Sequence, residues 1–182
     1  NEKVRGSDSR ASALLEELER EGAEIEIGHN STRIQKEDTI VYSSGIKEDN
    51  EELKRARELG APLLHRSELL NLLIGTQKPL LVTGTHGKTT TSALLTSILL
   101  EASWDPSFVV GGIMLKLNSN GRNGMGPYFV LEADESDGSF LKTFAFGAIV
   151  TNLGRDHLDF WKSEKNLSEG FSLFFQQVQN PK

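Results

Sequence analysis

Short apolar runs, many of them β-branched, alternate along this chain with longer stretches in which apolar residues recur every three or four positions. Strands and helices taken in turn predict an α/β fold built from βαβ units, with a mainly parallel sheet. A first helix is expected after a cap in Ser7-Asp8-Ser9, with Leu14, Leu15 and Leu18 along it and Gly22 at its end. Ile25 and Ile27 read as a strand, and Thr39-Ile40-Val41-Tyr42 as another that ends in Ser43-Ser44-Gly45. A helix from Asp49-Asn50 carries Leu53, Ala56 and Leu59 on one side and stops at Gly60. Residues 61–64 suit a short strand, and Ser67 is the expected cap of a leucine-rich helix that ends by Gly75.

Polarity rises over Thr76-Gln77-Lys78 and a strand begins after Pro79, so the expected domain boundary falls near residue 77. Residues 1–77 and 78–182 are then separate domains. In the second, Leu80-Leu81-Val82, Phe108-Val109-Val110, Tyr128-Phe129-Val130-Leu131 and Ala148-Ile149-Val150 read as strands, with a helix over 88–102. Strand ends at one edge of a parallel sheet converge on a crevice where α/β proteins bind ligands.

Composition narrows the partners. Acidic residues number 26 against 20 basic ones, for a net charge of −6, which disfavours nucleic acid. There is no cysteine, so disulfides and thiolate metal sites are excluded and a cytoplasmic setting is the default expectation. No apolar run is long enough to span a bilayer as a helix, so no membrane insertion is expected. The opening Asn1-Glu2-Lys3 and the closing Asn180-Pro181-Lys182 read as the ends of an excised piece of a longer chain.

Three polar segments carry the candidate chemistry. Thr83-Gly84-Thr85-His86-Gly87-Lys88-Thr89 sits between a strand and a helix. Glycines there let backbone N–H groups turn inward, the helix start adds positive potential, Lys88 supplies a cation and Thr89 a hydroxyl for a metal. Together these features describe a triphosphate site. Glu132-Ala133-Asp134-Glu135-Ser136-Asp137 follows a strand directly, and Glu132, nearest the strand, is the expected ligand of a phosphate-bridging magnesium ion. Thr151-Asn152-Leu153-Gly154-Arg155-Asp156-His157-Leu158-Asp159 follows another strand, and its histidine suits a metal ligand, a general base or a hydrogen-bonded surface residue. His65 is expected to be structural.

These segments, in this order, resemble the Mur ligase family across essentially the whole chain. Gly6-Ser7-Asp8, Ile27-Gly28-His29 and Ser43-Ser44-Gly45-Ile46 also look like that family's UDP-sugar domain. The resemblance implies a Rossmann-like UDP-sugar domain, its first strand and glycine-rich turn lying before Asn1, followed by part of a P-loop ATPase domain. A third, amino-acid-binding domain would lie beyond Lys182. ATP and Mg2+ are the implied cofactors, with ATP bound by Gly84, Thr85, His86, Gly87, Lys88, Thr89 and Thr90.

In this reading Thr89, Glu132 and His157 hold metal, Lys88, Glu132 and His157 are catalytic, and Ser7, Asp8, His29, Ser44 and Gly45 touch substrate. The implied reaction joins L-alanine to the lactyl carboxylate of UDP-N-acetylmuramic acid through an acyl phosphate. Addition of a preformed peptide to the same nucleotide sugar is the alternative within the family, and a non-ligating nucleotide-binding regulatory module is the alternative outside it. Taken alone, the piece is expected to be inactive and prone to self-association. Gly154-Arg155 departs from the family's acidic-small pair and is expected to alter local packing only.

Overall fold

In the computed structural model, which describes residues 3–178, the chain divides into two compact units, one running to Arg66 and one starting at Ser67. In the first, β1 (Arg5–Asp8) pairs in parallel with β2 (Glu24–Ile27), and α1 (Ala13–Arg20) joins them. The strand Arg-Gly-Ser-Asp has no apolar residue, so no hydrophobic pattern announces it. It corrects the expected cap: Ser7 and Asp8 are strand residues, and the hydroxyl that accepts from the Leu15 N–H belongs to Ser12.

A second parallel pair, β3 (Ile40–Tyr42) with β4 (Leu63–His65), is joined by α2 (Glu51–Leu59). This helix follows its sequence signals. The Asn50 side chain accepts from the N–H groups of Glu52 and Leu53, Leu53 and Ala56 are buried, and Gly60 ends the helix in the left-handed conformation.

α3 (Arg66–Ile74) packs through Leu70 and Ile74 into the core of the second unit. The division by compactness therefore precedes this helix, whereas the boundary expected near residue 77 follows it. Ser67, expected as the cap, lies inside the first turn and is buried.

The second unit is a five-stranded sheet in the order β7-β6-β8-β5-β9, made of β5 (Lys78–Thr83), β6 (Ser107–Met114), β7 (Ser119–Arg122), β8 (Tyr128–Glu132) and β9 (Gly147–Val150). All neighbours pair in parallel except β7, which runs antiparallel to β6 at the edge. β7 is Ser-Asn-Gly-Arg and, like β1, carries no apolar signal.

Side-chain alternation on β8 builds two cores. Phe129 and Leu131 pack with Phe140 and with Leu167, Phe171 and Phe174 of α6 (Glu164–Gln176). Val130 points the other way, packing with Phe108, Val110 and Leu99, the last from α4 (Lys88–Glu101). Residues 167, 171 and 174 follow the spacing of one helical face, which is why α6 covers the sheet. With both faces covered and a neighbour on each side, Leu81, Val82 and Thr83 of β5 are fully buried.

From β5 the chain passes through α4 to β6 on one side, and from β8 it crosses to β9 on the other. β5 thus stands where the strand order turns, the usual ligand position in such sheets. The register sets Val82 beside Glu132 and Thr83 beside Val150, so the C-terminal ends of β8, β5 and β9 lie side by side.

Candidate active site

The loop after β5 is shaped by two glycines. Gly84 has φ +122°, and a Cβ there would lie 2.4 Å from Thr151 Oγ1 and 2.8 Å from the Asn152 carbonyl oxygen. Gly87, at φ +81°, caps α4 with no side-chain hydrogen bond, so the helix presents its first N–H groups uncapped by any side chain. Lys88 Nζ folds back to donate to the Gly84 carbonyl at 2.8 Å.

The segment after β9 clamps this loop. Thr151 Oγ1 and Asn152 Nδ2 both donate to the His86 carbonyl, at 2.6 and 2.8 Å, while His86 N–H donates to Asn152 Oδ1 at 3.1 Å. Thr85 N–H donates to the Asn152 carbonyl, and Gly154 N–H donates to Thr85 Oγ1 at 2.7 Å. Thr85 and His86, expected at the phosphates, are therefore engaged with residues 151–154, while Thr90 is exposed in the first turn of α4. Gly154 has a definite part in this packing: its Cβ would lie 3.0 Å from the Thr85 side chain. The neighbouring Arg155 pairs with Glu164 at 3.1 Å.

Glu132, the last residue of β8, accepts from Thr89 Oγ1 at 2.9 Å, from Ser92 Oγ at 3.2 Å and from Gly111 N–H at 2.7 Å. Among the described residues its charge is met by neutral donors, so it is available to a cation. Gly111 makes this possible, since a Cβ there would lie 2.7 and 2.9 Å from the two carboxylate oxygens. Ser92 and Gly111 were not foreseen: a serine inside a helix and a glycine inside a strand carry no signal that ties them to an acidic loop.

Glu135 was passed over within the acidic run because it lies beyond the strand end. Its carboxylate is 1% exposed and sits 2.8 and 3.1 Å from Lys88 Nζ, with Oε1 3.6 Å from His157 Nε2. His157 caps α5 (Leu158–Trp161) in the left-handed conformation, with its own N–H held by Asp156. Lys88 and His157 thus meet on Glu135, and the adjacent Thr89 meets Glu132. Among the described residues, no three His, Asp, Glu or Cys side chains gather closely enough to hold a metal unaided.

In the first unit, Ser7 Oγ donates to Glu52 Oε2 at 2.6 Å and lies 3.3 Å from His29 Nδ1, which is 3.1 Å from the same carboxylate oxygen. Glu52, in the first turn of α2, is the unforeseen member of this cluster. The Asp8 carboxylate accepts from Arg10 N–H. Ser44 Oγ lies 3.0 Å from His65 Nε2, whose ring stands edge-on to Tyr42, and the space about Gly45 is open but for Ser43. An open depression of about 530 Å3 beside the stacked rings of Trp104 and Tyr128 lies at the opposite end of the large sheet and shares no residue with the phosphate loop.

Residues 82–182 match the Mur ligase middle domain, and residues 1–78 match the Mur ligase family catalytic domain. The UDP-N-acetylmuramate--L-alanine ligase of Protochlamydia amoebophila is 50% identical over 182 residues, all of this chain and 40% of that enzyme. The same-named enzyme of Caulobacter vibrioides is 43% identical over 175 residues, 96% of this chain and 37% of its own length. Among solved structures, the UDP-N-acetylmuramate-alanine ligase of Thermotoga maritima superposes with a TM-score of 0.87 at 28% identity, over 96% of this chain and 41% of that one. The UDP-N-acetylmuramate:L-alanyl-gamma-D-glutamyl-meso-diaminopimelate ligase of Neisseria meningitides gives 0.86 at 26% identity, over 96% and 60%. The chain spans about 40% of the length of the first of these relatives.

Proposed function

This chain belongs to the Mur ligase family, and on that premise we propose that the intact protein joins L-alanine to the lactyl carboxylate of UDP-N-acetylmuramic acid, converting ATP to ADP and phosphate. The observation that carries the reading is the uncapped start of α4, with Lys88 at the loop and the Thr89–Glu132 pair beside it. Identity to the alanine-adding relatives supports this substrate pair. The nucleotide sugar is assigned to residues 1–77, through Ser7, Asp8, His29, Ser44 and Gly45, and the phosphate chemistry to residues 78–182. A cytoplasmic site of action is part of the proposal; among the described residues no helix is long and apolar enough to cross a membrane.

The chemistry follows from what must be overcome. A carboxylate is a poor electrophile, and it repels a triphosphate; transfer of the γ-phosphoryl group to it gives an acyl phosphate with a good leaving group. The amine of L-alanine then attacks the acyl carbon, an amide forms, and phosphate departs. Lys88 and the α4 N–H groups would stabilise charge on the transferring group, with Gly84, Thr85, His86, Gly87 and Thr90 completing the ATP-binding set. The Thr89 hydroxyl and Glu132 carboxylate are hard oxygen donors 2.9 Å apart, a donor set that fits Mg2+. When bound there, Mg2+ would neutralise phosphate charge, and His157 is assigned to help hold a second ion.

The peptide-adding reaction remains the second reading, because the Neisseria ligase matches the fold as well as the alanine-adding one does. The intact protein, given ATP, Mg2+ and UDP-N-acetylmuramic acid with either L-alanine or a preformed tripeptide, should yield the L-alanyl amide by mass spectrometry. Amide from the tripeptide alone selects the second reading. ATP binding with no amide from either acceptor selects a regulatory module.

A further inference from the structure

The two carboxylates at the end of β8 live in different surroundings. Glu132 accepts from two hydroxyls and one N–H, keeping its charge for a cation. Glu135 is enclosed by protein, and both of its oxygens lie within hydrogen-bond distance of the Lys88 ammonium. A buried carboxylate requires a counter-charge, and here the counter-charge is the loop lysine itself.

We infer that Glu135 is a positioning residue, a buried carboxylate that fixes the Lys88 ammonium and the His157 imidazole on one anchor before any phosphate arrives. This rests on the reading of the loop as a phosphate site and deepens it. Lysine carries its charge on a flexible four-carbon stem that otherwise samples many rotamers. Its ammonium is met by three acceptor oxygens, the Gly84 carbonyl at 2.8 Å and the two Glu135 carboxylate oxygens at 3.1 and 2.8 Å, so its place beside the loop is fixed from two sides.

The anchor is itself held. Trp161 Nε1 donates to the Glu135 carbonyl at 2.9 Å. The Trp161 ring stands edge-on to Phe140 and lies so close to Gly170 that a Cβ there would come within 2.4 Å of it. The indole is therefore wedged between α6 and the turn that carries Phe140, and Glu135 is tied through it to the packed core. One carboxylate joins three chain segments: the loop after β5, the loop after β8 and the cap of α5.

A group that orients a charge-stabilising cation acts on turnover more than on binding. Glu135→Gln keeps the shape and loses the charge. In the intact protein it should lower kcat by roughly 10- to 100-fold. KM for ATP should stay level or fall, because a negative charge near the phosphates is gone. Glu135→Asp keeps the charge but shortens the reach to Lys88, and should give a smaller kcat loss at unchanged KM.

The test is steady-state kinetics of wild type, Glu135→Gln, Glu135→Asp and Lys88→Met, with rates expressed per folded site from calorimetry. A kcat loss at level or lower KM in Glu135→Gln supports the inference; should that variant not fold, the same split in Glu135→Asp does so. Wild-type turnover per folded site in whichever of the two folds overturns it, as does a loss confined to KM. Lys88→Met separates the layers. Normal turnover there removes the phosphate-site reading itself, whereas a dead Lys88→Met beside a normal Glu135→Gln removes only the positioning role.

Discussion

Lys88 Nζ lies 2.8 Å from Glu135 Oε2, in an ion pair whose carboxylate is almost wholly enclosed and whose lysine is 15% exposed. The loop cation is therefore also the counter-charge of the interior, and substitutions at residue 88 act on stability as well as chemistry.

Lys88→Ala should abolish phosphoryl transfer and also destabilise the second unit by roughly 3 kcal/mol, because it takes the ammonium partner from a buried carboxylate. Adding Glu135→Gln should restore most of the stability and none of the activity. Urea denaturation of the two single variants and the double variant, set against isotope exchange into ATP, checks both halves. Additive stability losses would show that the pair is uncoupled.

Glu132→Ala and Gly111→Ala should give the same phenotype from opposite sides. The first removes the carboxylate; the second drives a Cβ to within 2.7 Å of it and 2.9 Å of Thr89 Oγ1. Both should raise the magnesium concentration needed for half-maximal rate. An unchanged magnesium titration in Glu132→Ala would remove that residue from the metal site, and one in Gly111→Ala would show that the carboxylate tolerates displacement.

Legibility in the sequence followed the physics of each element. The placement of Gly84 to Thr89 between a strand and a helix was readable because an apolar run stops at a glycine there and a helical run starts after the next, and Asn50 and Gly60 bracketed α2 because caps are local. β1 and β7 were not readable, since three polar residues and a glycine gain strand structure from their partners rather than from their own pattern. Glu135, Ser92 and Gly111 were hidden for a related reason: each acquires its role from a residue tens of positions away, through a register that only the folded sheet defines.

Thr83 Oγ1 is buried and has no hydrogen-bond partner among the described residues. Thr83→Val keeps the shape of the side chain and removes that unmet hydroxyl, so thermal stability should stay level or rise, by about 1 kcal/mol. A clear fall in melting temperature would mean that the hydroxyl is satisfied.

In the first unit, hydrogen bonds from the Arg33 guanidinium and from Asn30 hold the Glu26 carboxyl below its usual range against a smaller opposing effect of burial. A carboxyl depressed on folding adds stability above its unfolded value and loses it as pH falls through the folded one. Arg33→Met should raise the Glu26 titration midpoint, followed by NMR, and flatten the acid limb of the stability profile. A midpoint that does not move would show that Arg33 has no hold on it.

The most direct test is a crystal structure of the intact protein with a non-hydrolysable ATP analogue and Mn2+, read by its anomalous signal. The account predicts manganese bound by Thr89 Oγ1 and the Glu132 carboxylate, with Lys88 reaching the phosphates while still touching Glu135. A metal and phosphate tail seated away from the ends of β5, β8 and β9 would contradict it.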